Sequence, residues 1–180
     1  MNAPAPHLSR AHRTRTAGRA GLAAASWLAL ALPALLLAGA WGSQLIGGLV
    51  PCEMCHWQRW PHYAALPLGA AAVLLPGASP KRLLTLAAAL AIAASGAIGV
   101  FHAGVEYHWW DGVTACTSGL SAGGGDMLSQ ILAAPVIRCD VAQWTLGGIS
   151  LAGFNAILSL GGALAIAVLA TQTSSSGRTA

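Results

Sequence analysis

Four cysteines are the residues of this chain most able to do chemistry. Cys52 and Cys55 stand two residues apart at the rim of a hydrophobic segment, and Cys116 and Cys139 fall in the one other long polar stretch between hydrophobic runs. Dithiols with C-x-x-C spacing are typical of thiol–disulfide exchange. A Cys52–Cys55 disulfide closes a small ring that stabilises a fold little, because the benefit grows with loop length. The pattern predicts electron exchange between the pairs, provided that all four lie on one side of a membrane.

Two polar residues follow the C-x-x-C motif closely enough to act on it. Arg59 stands four residues after Cys55, so on a helix its guanidinium lies on the same face one turn further on. A cation and a helix N-terminus both lower the pKa of a thiol and favour the attacking thiolate. Gln58 carries an amide that could hydrogen-bond a carbonyl ligand. The alternative for Arg59 is that it extends to the membrane interface without a chemical role.

Other interpretations of the cysteines are available. Cys52-Glu-Met-Cys55-His56 fits the C-x-x-C-H pattern of covalent haem attachment, but haem would leave the second cysteine pair unused and would need another axial ligand, such as His62 or His102. A four-cysteine zinc site usually shows two close pairs, whereas the second pair here is 23 positions apart. A structural staple between Cys116 and Cys139 is the remaining alternative. We predict no metal site.

A further pair of polar residues stands near the end of a hydrophobic segment. His102 and Glu106 are four residues apart and therefore share one face of a helix. The pair predicts a polar patch beside a ligand pocket, and metal binding by the two side chains is the alternative.

The composition requires a membrane environment for these residues. The chain is 56% apolar and only 8% charged, whereas a soluble domain carries about 25% charged residues. A spanning helix needs about 20 mostly apolar residues. Four segments come near this requirement, at about 20–46, 61–75, 83–105 and 144–169, and the second is marginal because it is short and contains Pro67. We predict an all-α membrane protein, a bundle of four transmembrane helices formed by residues 20–170.

The distribution of charge predicts the orientation of the bundle. Seven of the nine basic residues lie in the N-terminal tail 1–19, in the loop 76–82 or at the C-terminus, and all five acids lie in the other two loops. Basic loops stay in the cytoplasm, so we expect both termini inside and both cysteine loops, 47–60 and 106–143, outside. The first apolar segment is longer than the 7–15 apolar residues of a cleaved signal peptide, so we do not expect it to be removed. The sequence has no basic patch interleaved with aromatic residues, so it does not indicate nucleic-acid binding.

Two segments outside the spans carry structural expectations of their own. Met127, Leu128, Ile131 and Leu132 follow Asp126 with helical spacing. This spacing predicts a short helix that lies flat on the membrane surface. The C-terminal residues 171–180 are polar and of low complexity, so we expect a disordered cytoplasmic tail.

From about Leu45 to Leu160 the sequence resembles the disulfide bond formation protein B (DsbB) family, membrane oxidases that reduce quinones. The resemblance rests on Pro51-Cys52-Glu-Met-Cys55-His-Trp-Gln58-Arg59, on Gly104-Val-Glu106-Tyr-His-Trp-Trp110 leading to Ala115-Cys116-Thr117, on Arg138-Cys139-Asp140, and on Trp144-Thr-Leu-Gly-Gly-Ile-Ser150-Leu-Ala-Gly-Phe-Asn155. The loop between Cys116 and Cys139 is somewhat shorter than in the best-known members.

The resemblance implies a bacterial inner-membrane enzyme. A periplasmic DsbA-like dithiol protein would attack the Cys116–Cys139 disulfide, at Cys116 first. Electrons would then pass to Cys52 and Cys55, and Cys55 would deliver them to ubiquinone or menaquinone near Arg59, with Gln58 and His102 as further quinone-binding candidates. The expected partners are this dithiol protein and membrane lipid.

Overall fold

The computed structural model describes residues 6–114 and 137–172, with side chains from Thr16 onward. The described residues form four helices, α1 (Pro6–Leu45), α2 (Glu53–Leu74), α3 (Ala78–Glu106) and α4 (Leu151–Thr171), and two short strands, β1 (Thr145–Leu146) and β2 (Ile149–Ser150). α3 packs most extensively against α4 and α2, while α1 contacts all three other helices. The helical bundle agrees with the predicted fold class.

Three of the four helices are long and apolar enough to cross a membrane: α1 from Thr16 onward, α3 and α4. α2 has 22 residues and contains Pro61, Pro67 and the buried polar residues Arg59 and His62. Its polar content explains why it carries a weaker hydrophobic signal than its neighbours. The span predicted at 61–75 covers only its second part, since α2 begins at the C-x-x-C motif.

The other helix bounds differ from the predicted spans in ways that local sequence explains. α1 extends back to Pro6, into the predicted basic tail, whose residues include good helix formers. α3 begins at Ala78, so the connection predicted at 76–82 is shorter. α4 begins later than the span predicted at 144–169, because residues 145–150 form an antiparallel hairpin instead. Gly147 and Gly148 both have positive φ, as a tight hairpin turn requires, and Ser150 then caps α4.

The apolar core lies in the half of the bundle away from the cysteines. It consists mainly of small side chains, with Ala25 and Ala29 of α1, Ala65 of α2, Ala88 and Ile92 of α3, and Ala163 and Ile166 of α4 among its buried members. Gly69 has no room for a side chain, since a Cβ there would come within 2.9 Å of the Ala29 carbonyl oxygen. Small residues allow the close helix approach that stabilises bundles in lipid.

The two cysteine-bearing segments meet at the opposite end of the bundle. The Gln143 side chain accepts a hydrogen bond from the Val50 amide at 3.1 Å and donates one to the Val50 carbonyl at 2.6 Å. Tyr107, just after α3, donates to the Gly148 carbonyl and accepts from the Ser150 amide. These contacts place the segments before α2 and before α4 side by side.

Candidate functional site

Cys52 and Cys55 form a close dithiol at the start of α2. Cys52 is the N-cap of the helix, and its sulfur accepts a hydrogen bond from the Cys55 amide at 3.3 Å. The two Sγ atoms lie 2.9 Å apart. A hydrogen bond to the Cys55 sulfur, burial and the nearby Cys55 charge together raise the pKa of the Cys52 thiol well above its ordinary range. Cys52 therefore keeps its proton over the ordinary thiol range, and Cys55 is the more exposed of the two.

His102 presents its imidazole to this dithiol from α3. Its Nε2 lies 3.5 Å from the Cys52 sulfur and 3.7 Å from Oε1 of Glu106. The Gln58 amide nitrogen lies 2.7 Å from His102 Nδ1. Because an amide nitrogen only donates, Nδ1 is the acceptor and the imidazole proton is on Nε2. His102 thus directs an N–H group at the dithiol and at the carboxylate.

Gln58 is fixed at both ends of its amide. Besides His102, its nitrogen contacts the Met54 carbonyl at 3.3 Å, and its oxygen accepts from the Asn155 amide at 2.8 Å. The amide is used within the protein, so the geometry gives Gln58 a role in orienting His102.

Arg59 is buried between α1 and α2, with only 7% of its surface exposed. Its guanidinium donates to the Gln44 side chain at 3.0 Å and to the Ala40 carbonyl at 3.1 Å, and it lies over the Trp41 ring, 5.4 Å from the centroid. These contacts hold the cation within the bundle, which argues against the alternative of a side chain extending to the interface.

Two cavities adjoin these residues. A small one of about 60 Å³ is lined by both cysteines, Arg59, His102 and Glu106. A larger one of about 290 Å³ lies between α1, α2 and α4, where Cys55, Gln58 and Arg59 face leucines of α1 and the apolar residues Phe154 and Leu158 of α4. Leu35 and Leu158 on its wall are exposed at the surface of the bundle, so an apolar molecule can enter from the side.

A buried polar network, which the sequence did not predict as part of the site, joins α2, α3 and α4. His62 Nε2 contacts Asn155 Oδ1 at 3.0 Å and Ser95 Oγ at 2.9 Å, and the Ser159 hydroxyl donates to Asn155. The Asn155 amide nitrogen donates to Ser95 as well as to Gln58. Asn155 therefore forms hydrogen bonds from α4 to both α2 and α3. The signal for His62 was its position as an ionisable residue within an apolar helix.

Cys139 joins the dithiol from the second cysteine-bearing segment. It is fully buried and packs in one cluster with Cys52, Met54 and Val105. The Thr114 hydroxyl lies 3.6 Å from its sulfur. Next to it, Arg138 donates to Asp140 at 2.8 Å and thereby lowers the pKa of that carboxyl. Cys116 and the short helix predicted after Asp126 lie outside the described residues.

The site thus combines a close pair of thiols, a buried cation and a third cysteine packed against the first pair, a set of groups suited to thiol–disulfide exchange. The comparison with curated proteins and the comparison with solved structures found no match. A family model described as "Disulfide bond formation protein DsbB" matches residues 23–169, well over half of the chain and all four helices in large part. The chain belongs to this family of membrane proteins that form disulfide bonds.

Proposed function

We propose that the protein is a quinone-dependent protein-thiol oxidase that reoxidises a DsbA-like periplasmic dithiol protein. The observation that carries this proposal is the shared cavity: Cys55 and the buried Arg59 line one apolar space between α1, α2 and α4. A cation favours the thiolate of a neighbouring cysteine, and this pair at the edge of a mostly apolar cavity suits transfer of electrons to a lipid-soluble acceptor.

The larger cavity fits the head group of a quinone such as ubiquinone or menaquinone. Its volume of about 290 Å³ approaches the lower end of ordinary ligand pockets, about 300 Å³. Its walls are mostly apolar, and the guanidinium of Arg59 retains donors beyond those used for Gln44 and Ala40. Bound there, a quinone supplies a two-electron acceptor that takes up two protons at its oxygens. Arg59 would orient one oxygen and stabilise negative charge at it.

The protein's own groups divide the thiol chemistry between them. Cys55 is the less buried of the two thiols and lines the larger cavity, so it is the group that delivers electrons. Cys52 is buried beside Cys139, so it is the group that exchanges with the second pair. His102 Nε2 faces the Cys52 sulfur at 3.5 Å and would stabilise charge there when Cys52 leaves a disulfide. Oxidation of the two thiols releases two electrons and two protons and forms one S–S bond.

The second pair would receive electrons from the soluble partner. The partner's dithiol becomes a disulfide as the Cys116–Cys139 disulfide is reduced, with Cys116 attacked first, and exchange of Cys139 with Cys52 then passes the electrons inward. A DsbA-like partner has a reduction potential of about −120 mV. The series of electron transfers therefore runs forward only with a stronger terminal oxidant. A quinone meets that requirement.

The location we propose is the bacterial inner membrane, with both termini in the cytoplasm and both cysteine-bearing segments in the periplasm. Seven of the nine basic residues belong to the N-terminal tail, the 76–82 connection or the C-terminal tail, which the positive-inside rule assigns to the cytoplasm. α2 would be the fourth transmembrane helix, its polar residues facing the bundle. Reporter fusions at Lys81 and Gly124 should lie on opposite sides of the membrane; the same side for both would refute the topology and the mechanism together.

The decisive experiment mixes the purified protein in detergent with a reduced DsbA-like dithiol and a soluble quinone analogue. We expect quinone absorbance to fall and the partner's disulfide to form in equal amounts. Cys55→Ser should abolish both, whereas His56→Ala, a change at an exposed neighbour, should leave both intact. Quinone that stays oxidised with the wild-type protein would refute the proposal. The alternatives are a haem carrier, which would show covalent haem absorbance after denaturation, and a non-catalytic scaffold, which would show neither signal.

A further inference from the structure

The two sulfurs of the dithiol also belong to a group of three atoms that could ligate a metal ion. The sulfurs of Cys52 and Cys55 and the Nε2 atom of His102 all lie within 4.8 Å of one another, and no other such group of three occurs among the described residues. Two thiolates and an imidazole are a typical ligand set for Zn²⁺. Cys52 and His102 are almost completely buried, so a cation held there would be shielded from water.

Glu106 lies beside this group of three atoms and would be the fourth ligand. Its Oε1 lies 3.7 Å from His102 Nε2, and it lines the same small cavity as the three other residues. Its other oxygen accepts a hydrogen bond from the Ser150 hydroxyl at the N-cap of α4. This contact fixes the carboxylate and leaves Oε1 toward the imidazole. Structural zinc sites almost always have four ligands in a tetrahedral arrangement.

The charges of the site balance around a divalent cation. Two thiolates and a carboxylate carry three negative charges, and a divalent ion reduces the net charge to one negative. The guanidinium of Arg59, which lines the same cavity, compensates the remainder. A buried group of charges is tolerated only when it is paired in this way.

We propose that the reduced Cys52–Cys55 dithiol binds Zn²⁺ together with His102 and Glu106, and that the occupied site cannot be oxidised. The ion takes the electron pairs on both sulfurs that would form the disulfide, and the disulfide form offers no thiolate ligands. Zn²⁺ keeps its charge throughout, so binding transfers no electrons. The inhibitory part rests on the proposed function, whereas binding itself does not.

Binding requires local adjustments at the two sulfurs and at Gln58. Zinc–sulfur bonds of about 2.3 Å place two ligating sulfurs nearly 4 Å apart in a tetrahedron, so the sulfurs must separate from their present 2.9 Å. Cys55 is only half-buried and can move into the adjoining cavity. Metal at Nε2 moves the imidazole proton of His102 to Nδ1, so the Gln58 amide must turn its oxygen to that atom and give up the hydrogen bond it accepts from Asn155.

The test is a titration of the reduced, desalted protein with Cd²⁺, in which binding is measured by the sulfur-to-metal charge-transfer absorbance. Zn²⁺ is then added as a competitor that displaces the bound Cd²⁺. We expect one equivalent to bind the reduced protein, with no binding to the disulfide form. A variant in which Cys116 and Cys139 are both serine should bind equally well, which restricts the signal to the first pair. Equal binding by the disulfide form would overturn the proposal.

Variants of the imidazole and the carboxylate test the ligand set. Loss of a ligand should weaken binding at least about tenfold, as loss of an outer partner alone costs about 10–100-fold. We expect this for His102→Ala and for Glu106→Gln, the latter nearly isosteric and so less liable to unfold the protein. His56→Ala, beside Cys55 but exposed, is the matched control. Full affinity in both ligand variants, or a loss in the control alone, would refute the assignment.

A separate activity assay distinguishes this proposal from the proposed function. Zn²⁺ should stop quinone reduction when added to the reduced protein, and a chelator should restore it. If the protein reduces no quinone but binds one equivalent of metal, the function fails and the metal site stands. If it reduces quinone without binding metal, the proposed function stands and the metal site is refuted.

Discussion

Substitution of Arg59 tests whether the buried cation serves the chemistry or only the fold. The guanidinium is 7% exposed and has no carboxylate within ion-pair distance among the described residues. A buried cation without a fixed counter-ion is costly to maintain. Its retention beside Cys55 is explained if it stabilises negative charge that appears during the reaction. We therefore expect Arg59→Ala to act mainly on quinone kinetics.

The magnitude follows from the depth of the site. Electrostatic stabilisation of a developing anion in a water-excluded site is commonly worth about 3 kcal/mol, so Arg59→Ala should lower quinone turnover on the order of 100-fold and raise the apparent quinone KM. Arg59→Lys keeps the charge but loses the planar fork that reaches both Gln44 and Ala40, so it should be milder. The stability loss should be small, because losing two hydrogen bonds is offset by removing a buried charge.

Steady-state kinetics with a soluble quinone analogue, together with a thermal melt in detergent, measures both effects. Gln44→Ala is the matched control, because it removes one contact of the guanidinium at 3.0 Å and leaves the charge in place. It should change turnover far less than Arg59→Ala does. Unchanged quinone kinetics in a well-folded Arg59→Ala protein would refute the reasoning, and loss of folding in place of a kinetic defect would make Arg59 structural.

Three further outcomes follow from the same geometry. Cys116→Ser should block oxidation of the soluble partner while quinone still reoxidises Cys52–Cys55; thiol trapping that finds this pair reduced in the presence of quinone would contradict it. Mass-spectrometric mapping of alkylation in the reduced protein should find Cys55 modified first, since the raised pKa of Cys52 keeps that thiol protonated as the pH rises through the ordinary thiol range; preferential labelling of Cys52 would reverse the assignment. Asn155→Leu leaves buried partners on α2 and α3 unpaired, so it should cost about 1–3 kcal/mol of stability, and an unchanged melting temperature would show that the network contributes little.

The sequence alone contained enough to predict a helical membrane bundle and its reactive dithiol. Low charge and long apolar segments leave few structures other than spanning helices, because backbone polar groups must be satisfied within the segment in lipid. The C-x-x-C motif is local, so spacing alone placed Cys52 and Cys55 together. Arg59 could also be predicted beside them, since four residues make one helical turn.

Helix boundaries depended on contacts that hydropathy does not record. The residues before α4 form a hairpin because Gly147 and Gly148 adopt positive φ and Tyr107 anchors the turn. α2 begins at the motif itself because the sulfur of Cys52 caps its first turn. Hydropathy averages over many residues, so it detects neither a cap nor a turn.

Only the tertiary structure decided which distant residues meet at the dithiol. His102 was predicted as part of a ligand pocket, but its contact with the Cys52 sulfur depends on how α3 packs against α2. Asn155, 97 positions after Gln58, fixes the Gln58 amide and thereby the tautomer of His102. The packing of Cys139 beside Cys52 likewise arises from the pairing of Gln143 with Val50. Such relations depend on helix packing and rotation, which sequence spacing cannot specify between separate elements.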